Sequence, residues 1–419
     1  MPVMPSQRLR FPGEASKESY ERQRLLAFAK KLKDAGKEII TIGEGDPVQF
    51  GFVNEFLSNF LAKAAEMKLH MYPYATTYQS DLKHAIAEFE KKHRYANYSA
   101  EDIILTPGVA GAFQVLHYAL LDPGDEIVTF EPSHYLTGPA SYLQYFQSKV
   151  KACKTTETDD WSPHPEELRK MINERTKAIV LGYPNNPTGA VSDEKTLKDI
   201  IDVAGEHDLP IVSDEIYCLL TFDGVEVKTI SLLAKDVPAI MLSGMSKVFM
   251  ATGWRVGYMC FHDPQEKISE VVEAMKKVAT SYGHASSCIP TPILYAATEA
   301  FRKAPLKEAK EMMRQLQVRR DFTWKRLNEI EGMRCTKPKG AFYAFPHLDA
   351  IGEIWKTDID FLFELLEQEH VLFSFPGSMY GNSVSTHFRT LLLPKLEVLE
   401  IVFDKLERFL SKRTKSKTN

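Results

Sequence analysis

Four short segments, each trailing an apolar run, hold most of the side chains in this sequence that can do chemistry. They are Thr106-Pro107-Gly108-Val109-Ala110-Gly111, Tyr183-Pro184-Asn185-Asn186-Pro187-Thr188-Gly189, Asp214-Glu215-Ile216-Tyr217, and Ser243-Gly244-Met245-Ser246-Lys247 continued by Gly253-Trp254-Arg255-Val256-Gly257-Tyr258. Lys247 follows the run Ala239 to Leu242 in a turn of small residues. A lysine after a strand is commonly a surface residue. Buried near other cations, however, its amine loses basicity and can attack a carbonyl or take a proton. Asp214 ends another apolar run, where a carboxylate is costly unless it meets a cation or caps the following turn. Tyr217, three residues on, falls on the same face of a helical turn. Gly108 opens a helix, so the amides of Val109 and Ala110 can point at an anion. The planar fork of Arg255 suits the same anion, and Ser243 and Ser246 can add hydroxyls. Asn186 stands in a sharp turn whose Asn186-Pro187 peptide is a candidate for the cis form.

The elements that must position these residues follow from periodicity. Ser19 to Lys33 reads as an amphipathic helix, with a short strand after it leading into Gly43-Glu44-Gly45-Asp46-Pro47. From about Phe52 to Ala300, short unpunctuated runs alternate with helical stretches. The runs are Ile103 to Leu105, Ile127 to Phe130, Ala178 to Gly182, Ile211 to Ser213, Ile240 to Ser243 and Val256 to Phe261; the helices include Val109 to Leu121 and Glu194 to Glu206. That alternation predicts an α/β fold with a mostly parallel sheet between helices. A long helix is expected over Pro292 to Ile330, then strands at Met333 to Thr336 and Ala341 to Phe345 about the turn Pro338-Lys339-Gly340. A closing helix carries Leu396, Leu399, Val402, Phe403, Leu406 and Phe409. The expected division is a large domain over residues 48–302 and a smaller α+β domain from both termini, residues 1–47 and 303–419. Ligands of open α/β sheets sit outside the carboxyl ends of the strands, where the four segments fall.

Composition narrows the function classes. The chain has 419 residues, a formal net charge of -4 and 26% charged residues, which gives no reason to expect a nucleic-acid partner. The basic run from Ser411 to Asn419 reads as a solvated tail. Five scattered cysteines, none paired at metal-ligand spacing, suggest reduced thiols. No stretch approaches a membrane span, and Met1 to Tyr20 lacks the apolar core of a signal peptide. A cytoplasmic protein is the expectation, with no metal and no membrane partner.

In this order and at these separations the four segments resemble the class I/II aminotransferases, pyridoxal-phosphate enzymes of fold type I, over Gly43 to Leu393. The resemblance implies that Lys247 carries the cofactor as a Schiff base and later moves the substrate's α-proton. It implies that Asp214 keeps the ring nitrogen protonated and that Tyr217 and Asn186 bond the ring hydroxyl. Gly108, Val109, Ala110, Ser243, Ser246 and Arg255 would hold the phosphate, although Ala110 and Gly244 stand where many relatives have a hydroxyl residue. His134, in Glu131-Pro132-Ser133-His134-Tyr135, takes the place of the aromatic that stacks on the ring, with Tyr135 in reserve. Tyr72, or Tyr74 in an ambiguous register, matches a tyrosine that reaches the phosphate of a neighbouring subunit, which implies a homodimer.

Substrate recognition also rests on the resemblance. Arg389, in His387-Phe388-Arg389, corresponds to the arginine for the α-carboxylate, and Gly45 to a glycine lining the same pocket. These residues, with Phe50-Gly51-Phe52 and Leu393-Pro394, look most like the alanine aminotransferase branch. The implied reaction passes an α-amino group from an alanine-like or other small neutral L-amino acid to a 2-oxo acid. Glu44 near the substrate would disfavour acidic side chains, and His284 is the one candidate cation between Ser281 and Pro290. A pyridoxal-phosphate lyase or cyclase on the same fold is the alternative. A dinucleotide enzyme is excluded, because Gly43-Glu44-Gly45 lacks the third glycine and the following helix.

Overall fold

The computed structural model describes residues 14–73, 76–281 and 289–415. The candidates Tyr74 and His284 lie outside these residues. Thirteen strands are present among the described residues: β1 (Ile40–Ile42), β2 (Ile103–Pro107), β3 (Glu126–Glu131), β4 (Lys149–Lys154), β5 (Thr176–Gly182), β6 (Ile211–Asp214), β7 (Ala239–Gly244), β8 (Val256–His262), β9 (Met333–Arg334), β10 (Tyr343–Ala344), β11 (His347–Leu348), β12 (Val371–Phe373) and β13 (Thr390–Leu391). Seven of them form one sheet in the order β2-β8-β7-β6-β5-β3-β4. All neighbours pair in parallel except β8, which is antiparallel to both β2 and β7.

Successive side chains of a strand point to opposite faces, and here both faces are covered. Ile179 and Leu181 of β5 join one apolar cluster while Ala178 and Val180 join another on the reverse side. The same split places Met241 in the first cluster and Ile240 and Leu242 in the second. Two-sided burial explains why these strands read as continuous apolar runs. The expected mostly parallel sheet between helices is therefore what the chain forms. One strand gave no such signal. β4 is Lys-Val-Lys-Ala-Cys-Lys at the sheet edge, where lysines guard the open edge against pairing with other chains.

Three further differences have local causes. The expected long helix is two, Thr291–Lys303 and Lys307–Glu329. Pro305 lies between them, and Ala304 before it is extended with ψ 123, as a residue preceding proline prefers. The runs expected as strands about Pro338-Lys339-Gly340 do not pair with each other. β9 pairs with β11, and β10 with β13, because the chain at 337–341 leaves to contact Gly189 and Leu220 of the large sheet's loops. The Asn186-Pro187 peptide is trans; among the described residues the cis peptides are Glu131-Pro132 and Tyr183-Pro184.

Two segments far apart in the chain meet. β1 pairs in parallel with β12, and the antiparallel pair β10–β13 sets Tyr343 opposite Leu391, close to Arg389. No helix among the described residues is long and apolar enough to cross a membrane.

Candidate active site

One edge of the large sheet gathers the chemistry. β2, β3, β5, β6 and β7 are mutually parallel, so the residues after each of them emerge on the same side. Arg255 precedes β8 and still arrives there, because β8 runs the other way: Val256 lies opposite Pro107, and Gly257 opposite Gly244. A cavity of about 450 Å³ opens at this edge, lined among others by Gly45, Val109, Ala110, His134, Asn186, Asp214, Tyr217, Ser246, Lys247, Arg255 and Arg389.

Lys247 stands in this cavity with its Nζ donating to the carbonyl of Gly45 at 2.6 Å. Burial lowers its pKa to about 8; Arg389 and Arg255 push the same way, while Asp46 and Glu44 oppose. Asp214 ends β6. Its carboxylate accepts one hydrogen bond from the Ile216 amide at 3.2 Å, and among the described residues it forms no ion pair. Burial raises its pKa to about 7, the Ile216 amide and Lys247 pull it down, and Glu215 raises it further. A carboxylate so placed has room for a cationic partner inside the cavity. Tyr217 is buried, and its hydroxyl meets that of Tyr343 at 2.7 Å. Burial pushes the Tyr217 phenol well above its ordinary pKa, so it stays a neutral hydrogen-bonding group.

The anion end of the cavity is built from backbone. The helix Gly108–Leu120 has no side-chain cap, which leaves its first amides for a ligand. Gly108 has φ +76, and a Cβ there would fall 2.6 Å from Arg255 Nη2. Only glycine lets the helix start and the guanidinium approach so closely. Arg255, itself left-handed at φ 54, donates to the carbonyl of Thr252 at 3.0 Å. Thr252 in turn donates to Asp46 at 2.9 Å, tying this loop to the segment after β1.

Opposite lies Arg389, buried between aromatic rings, its Cζ 3.7 Å from the Phe375 centroid and 4.4 Å from that of Tyr343. It donates to Asn186 Oδ1 at 3.1 Å and to the Gly43 carbonyl at 2.8 Å, which leaves Nε buried without a partner. An orphaned buried guanidinium nitrogen beside an open cavity suits a carboxylate ligand.

The sequence profile of aminotransferase class I and II matches residues 39–404. The chain belongs to the class I and II aminotransferases. Among solved structures it is similar to the alanine aminotransferase of Pyrococcus furiosus, 39% identical with a TM-score of 0.89, covering 98% of this chain and 100% of that one. It is 30% identical to the glutamate-pyruvate aminotransferase AlaA of Escherichia coli, over 92% of this chain and 94% of that protein. It is also 31% identical to an aspartate aminotransferase of Bacillus subtilis, over 93% and 96%.

Most candidate residues of this aminotransferase come together; some do not. His134 faces the cavity. It is exposed to solvent on its other side; desolvation at the cavity, then Arg389 and Lys247, lower the pKa of its imidazole. Tyr135 turns away and is buried, its hydroxyl 2.8 Å from His117 Nε2 and its ring against Phe113. Ser243 points below the cavity floor to the Tyr258 hydroxyl, whereas Ser246 lines the cavity. Tyr72 is 70% exposed and lies outside the set of lining residues. Glu44 reaches the cavity, but its carboxylate is ion-paired with Arg22. Arg22, Tyr343 and Phe375 escaped the sequence reading. Tyr343 sat in a segment read only as a strand, and Arg22 in a helix whose charged residues look like a solvated face.

Proposed function

We propose that this aminotransferase holds pyridoxal phosphate as a Schiff base on Lys247. With it the enzyme passes an α-amino group from an alanine-like L-amino acid to a 2-oxo acid. One arrangement carries the reading: an amine of lowered basicity and an unpaired carboxylate face one cavity, with a helix start and Arg255 at one end and Arg389 at the other. The residues present fit the cofactor. Asp214 lacks a cation that a pyridine N–H would supply, and the cradle at Gly108 and Arg255 leaves no room for a Cβ. The names of the Pyrococcus and Escherichia relatives support the alanine-like donor.

When bound, the cofactor supplies an electron sink conjugated to the substrate's α-carbon. The chain's own groups do the rest. Asp214 holds the proton on the ring nitrogen, while Asn186 and Tyr217 donate toward the ring hydroxyl. Val109 and Ala110 amides, Ser246 and Arg255 hold the phosphate. His134, neutral, stacks on the ring. Arg389 fixes the α-carboxylate, and Gly45 lines the space beside it. Lys247 takes the α-proton and returns it on the far side of the exchange, which its lowered pKa permits near neutral pH. Residues 48–302 form the cofactor domain, with 1–47 and 303–419 as the smaller one. The working unit is a cytoplasmic homodimer in which Tyr72 reaches the neighbouring site.

Borohydride reduction of cofactor-loaded protein followed by peptide mapping tests the reading. The label is expected on the peptide containing Lys247. Lys247→Ala should lose the label and roughly 10³-fold or more of transamination. A label on another lysine would sink the assignment.

A further inference from the structure

We propose that Glu157, His347 and His387 form a binding site for a divalent transition metal, zinc by their chemistry. The site lies outside the cavity and clasps the segment that carries Arg389.

The three side chains come from parts of the chain far apart in sequence, so no ligand spacing announces them and a metal was not expected. Glu157 opens a 3-10 turn after β4. His347 begins β11, and an isolated antiparallel bridge sets His387 directly opposite it. Residues opposed in this way hold their side chains on one face within reach of each other; the two imidazole centroids are 4.8 Å apart. One ligand atom from each of the three residues falls within 4.8 Å of the other two. The side chains of Glu157, His347 and His387 are only 14%, 11% and 7% exposed. None of them lines the cavity described above.

The ring nitrogens ask for a cation. Thr386 Oγ1 lies 3.0 Å from His347 Nδ1 and 3.3 Å from His387 Nδ1. When it accepts from both N–H groups, as the outer partner of a metal-bound imidazole does, both Nε2 atoms keep lone pairs. Those lone pairs face carboxylates: His347 Nε2 is 3.0 Å from Asp349 Oδ1, and His387 Nε2 is 3.6 Å from Glu157 Oε2. The second separation is too long for a hydrogen bond, and His387 Nε2 is buried without a partner. It is close to the roughly 3.3 Å between neighbouring ligands of a tetrahedral zinc ion. Arg334 pairs with the other Glu157 oxygen, Oε1, and with Asp349 at 2.6 Å, which leaves Oε2 for the metal. With Glu157 and Asp349 negative and Arg334 positive, the cluster still carries one negative charge for a cation to meet. Phe345, stacked on His387 at 5.0 Å, and Trp161, edge-on at 5.4 Å, supply an apolar wall. Two imidazoles and one carboxylate, with water as the fourth ligand, suit zinc; magnesium and calcium take oxygen ligands. His387 stands two residues before Arg389, so the metal ties the loop after β4 to the segment that delivers Arg389.

The test adds zinc chloride to chelator-stripped, full-length wild type, Glu157→Gln, His387→Gln and Thr386→Val. Metal analysis after gel filtration and thermal unfolding follow, and cobalt(II) in place of zinc is read by visible absorption. Wild type should retain about one zinc per chain and show the intense cobalt bands of a four-coordinate site. Its unfolding temperature should rise by about 3 °C with zinc. Thr386→Val should bind zinc about tenfold more weakly, and Glu157→Gln and His387→Gln about a hundredfold or more. Should His387→Gln fail to fold, Glu157→Gln, which keeps the size of its side chain, decides alone. Wild type that binds no zinc would overturn the proposal, the imidazoles then being satisfied by protons. So would zinc held as tightly by the folded ligand variants as by wild type, which would put the ion elsewhere on the chain.

Discussion

At the scale of single residues the site turns on one amine and one carboxylate that burial shifts toward their neutral forms. An ordinary lysine with its pKa near 10.5 is almost wholly protonated at neutral pH and cannot attack an aldehyde. Lys247 is drawn down to about 8 by burial, with Arg389 and Arg255 adding to the effect. The reactive form is the neutral amine, so the sign is fixed: capture of the aldehyde speeds up as pH rises and stops speeding up above the pKa. In cofactor-free enzyme, the rate of pyridoxal phosphate attachment should climb about tenfold per pH unit below pH 8 and level off above it. Stopped-flow absorbance from pH 6 to 10 checks this. A rate still climbing tenfold per unit at pH 9.5 would mean that the amine is not perturbed as its surroundings dictate. Desolvation, then Arg389 and Lys247, act on His134 in the same direction, lowering the pKa of a ring that lines the same cavity.

At the scale of elements, the floor of the site is braced by charges that the sheet encloses. Arg94, from the helix Tyr78–Arg94, donates to Glu90 at 3.1 Å and pairs with Glu215, the residue after Asp214; the Tyr258 hydroxyl of β8 donates to Glu90 at 2.6 Å. All three charged side chains are buried, and burial raises the pKa of Glu90. Taking one partner from such a cluster leaves uncompensated charge in the interior, so Arg94→Met should cost about 3–5 kcal/mol of stability. Urea unfolding would show a loss of that size, and a loss below about 1 kcal/mol would show that the cluster relaxes by taking up protons. None of this network was read from sequence, because Glu90, Arg94 and Glu215 are each common helix or loop residues when met singly. The catalytic loops were legible for the opposite reason: strands buried on both faces announce themselves, and their carboxyl ends must share an edge. β4 was hidden by its lysines. The strands of the smaller sheets run two or three residues, too short to show a period. Tyr343 and Phe375 reach the cavity from segments far from the four loops, so no local pattern could have joined them.

At the scale of the whole molecule, the cavity lies where distant parts of the chain converge. β1 and β12 join segments about three hundred residues apart, the loop after β1 delivers Gly45 to Lys247, and Arg389 arrives just before β13. Val48, Val53, Met67, Met71 and Tyr72 remain exposed within a stretch of the chain that begins beside the site. The homodimer proposed above would cover side chains of this kind, a twofold partner meeting them with the same residues of its own chain. In the homodimer proposed above Tyr72 serves the neighbour's phosphate, and hybrids test this. Tyr72→Phe homodimers should bind the cofactor about tenfold more weakly, as expected for one lost hydrogen bond to a charged group. Lys247→Ala homodimers should not transaminate. Unfolded together and refolded, the two variants form hybrids in which the lysine-bearing site faces an intact Tyr72 from its partner. That site should regain wild-type cofactor affinity and turnover. If Tyr72 serves its own chain, the lysine and the tyrosine never meet in the hybrid, and the weakened affinity persists at its single lysine-bearing site.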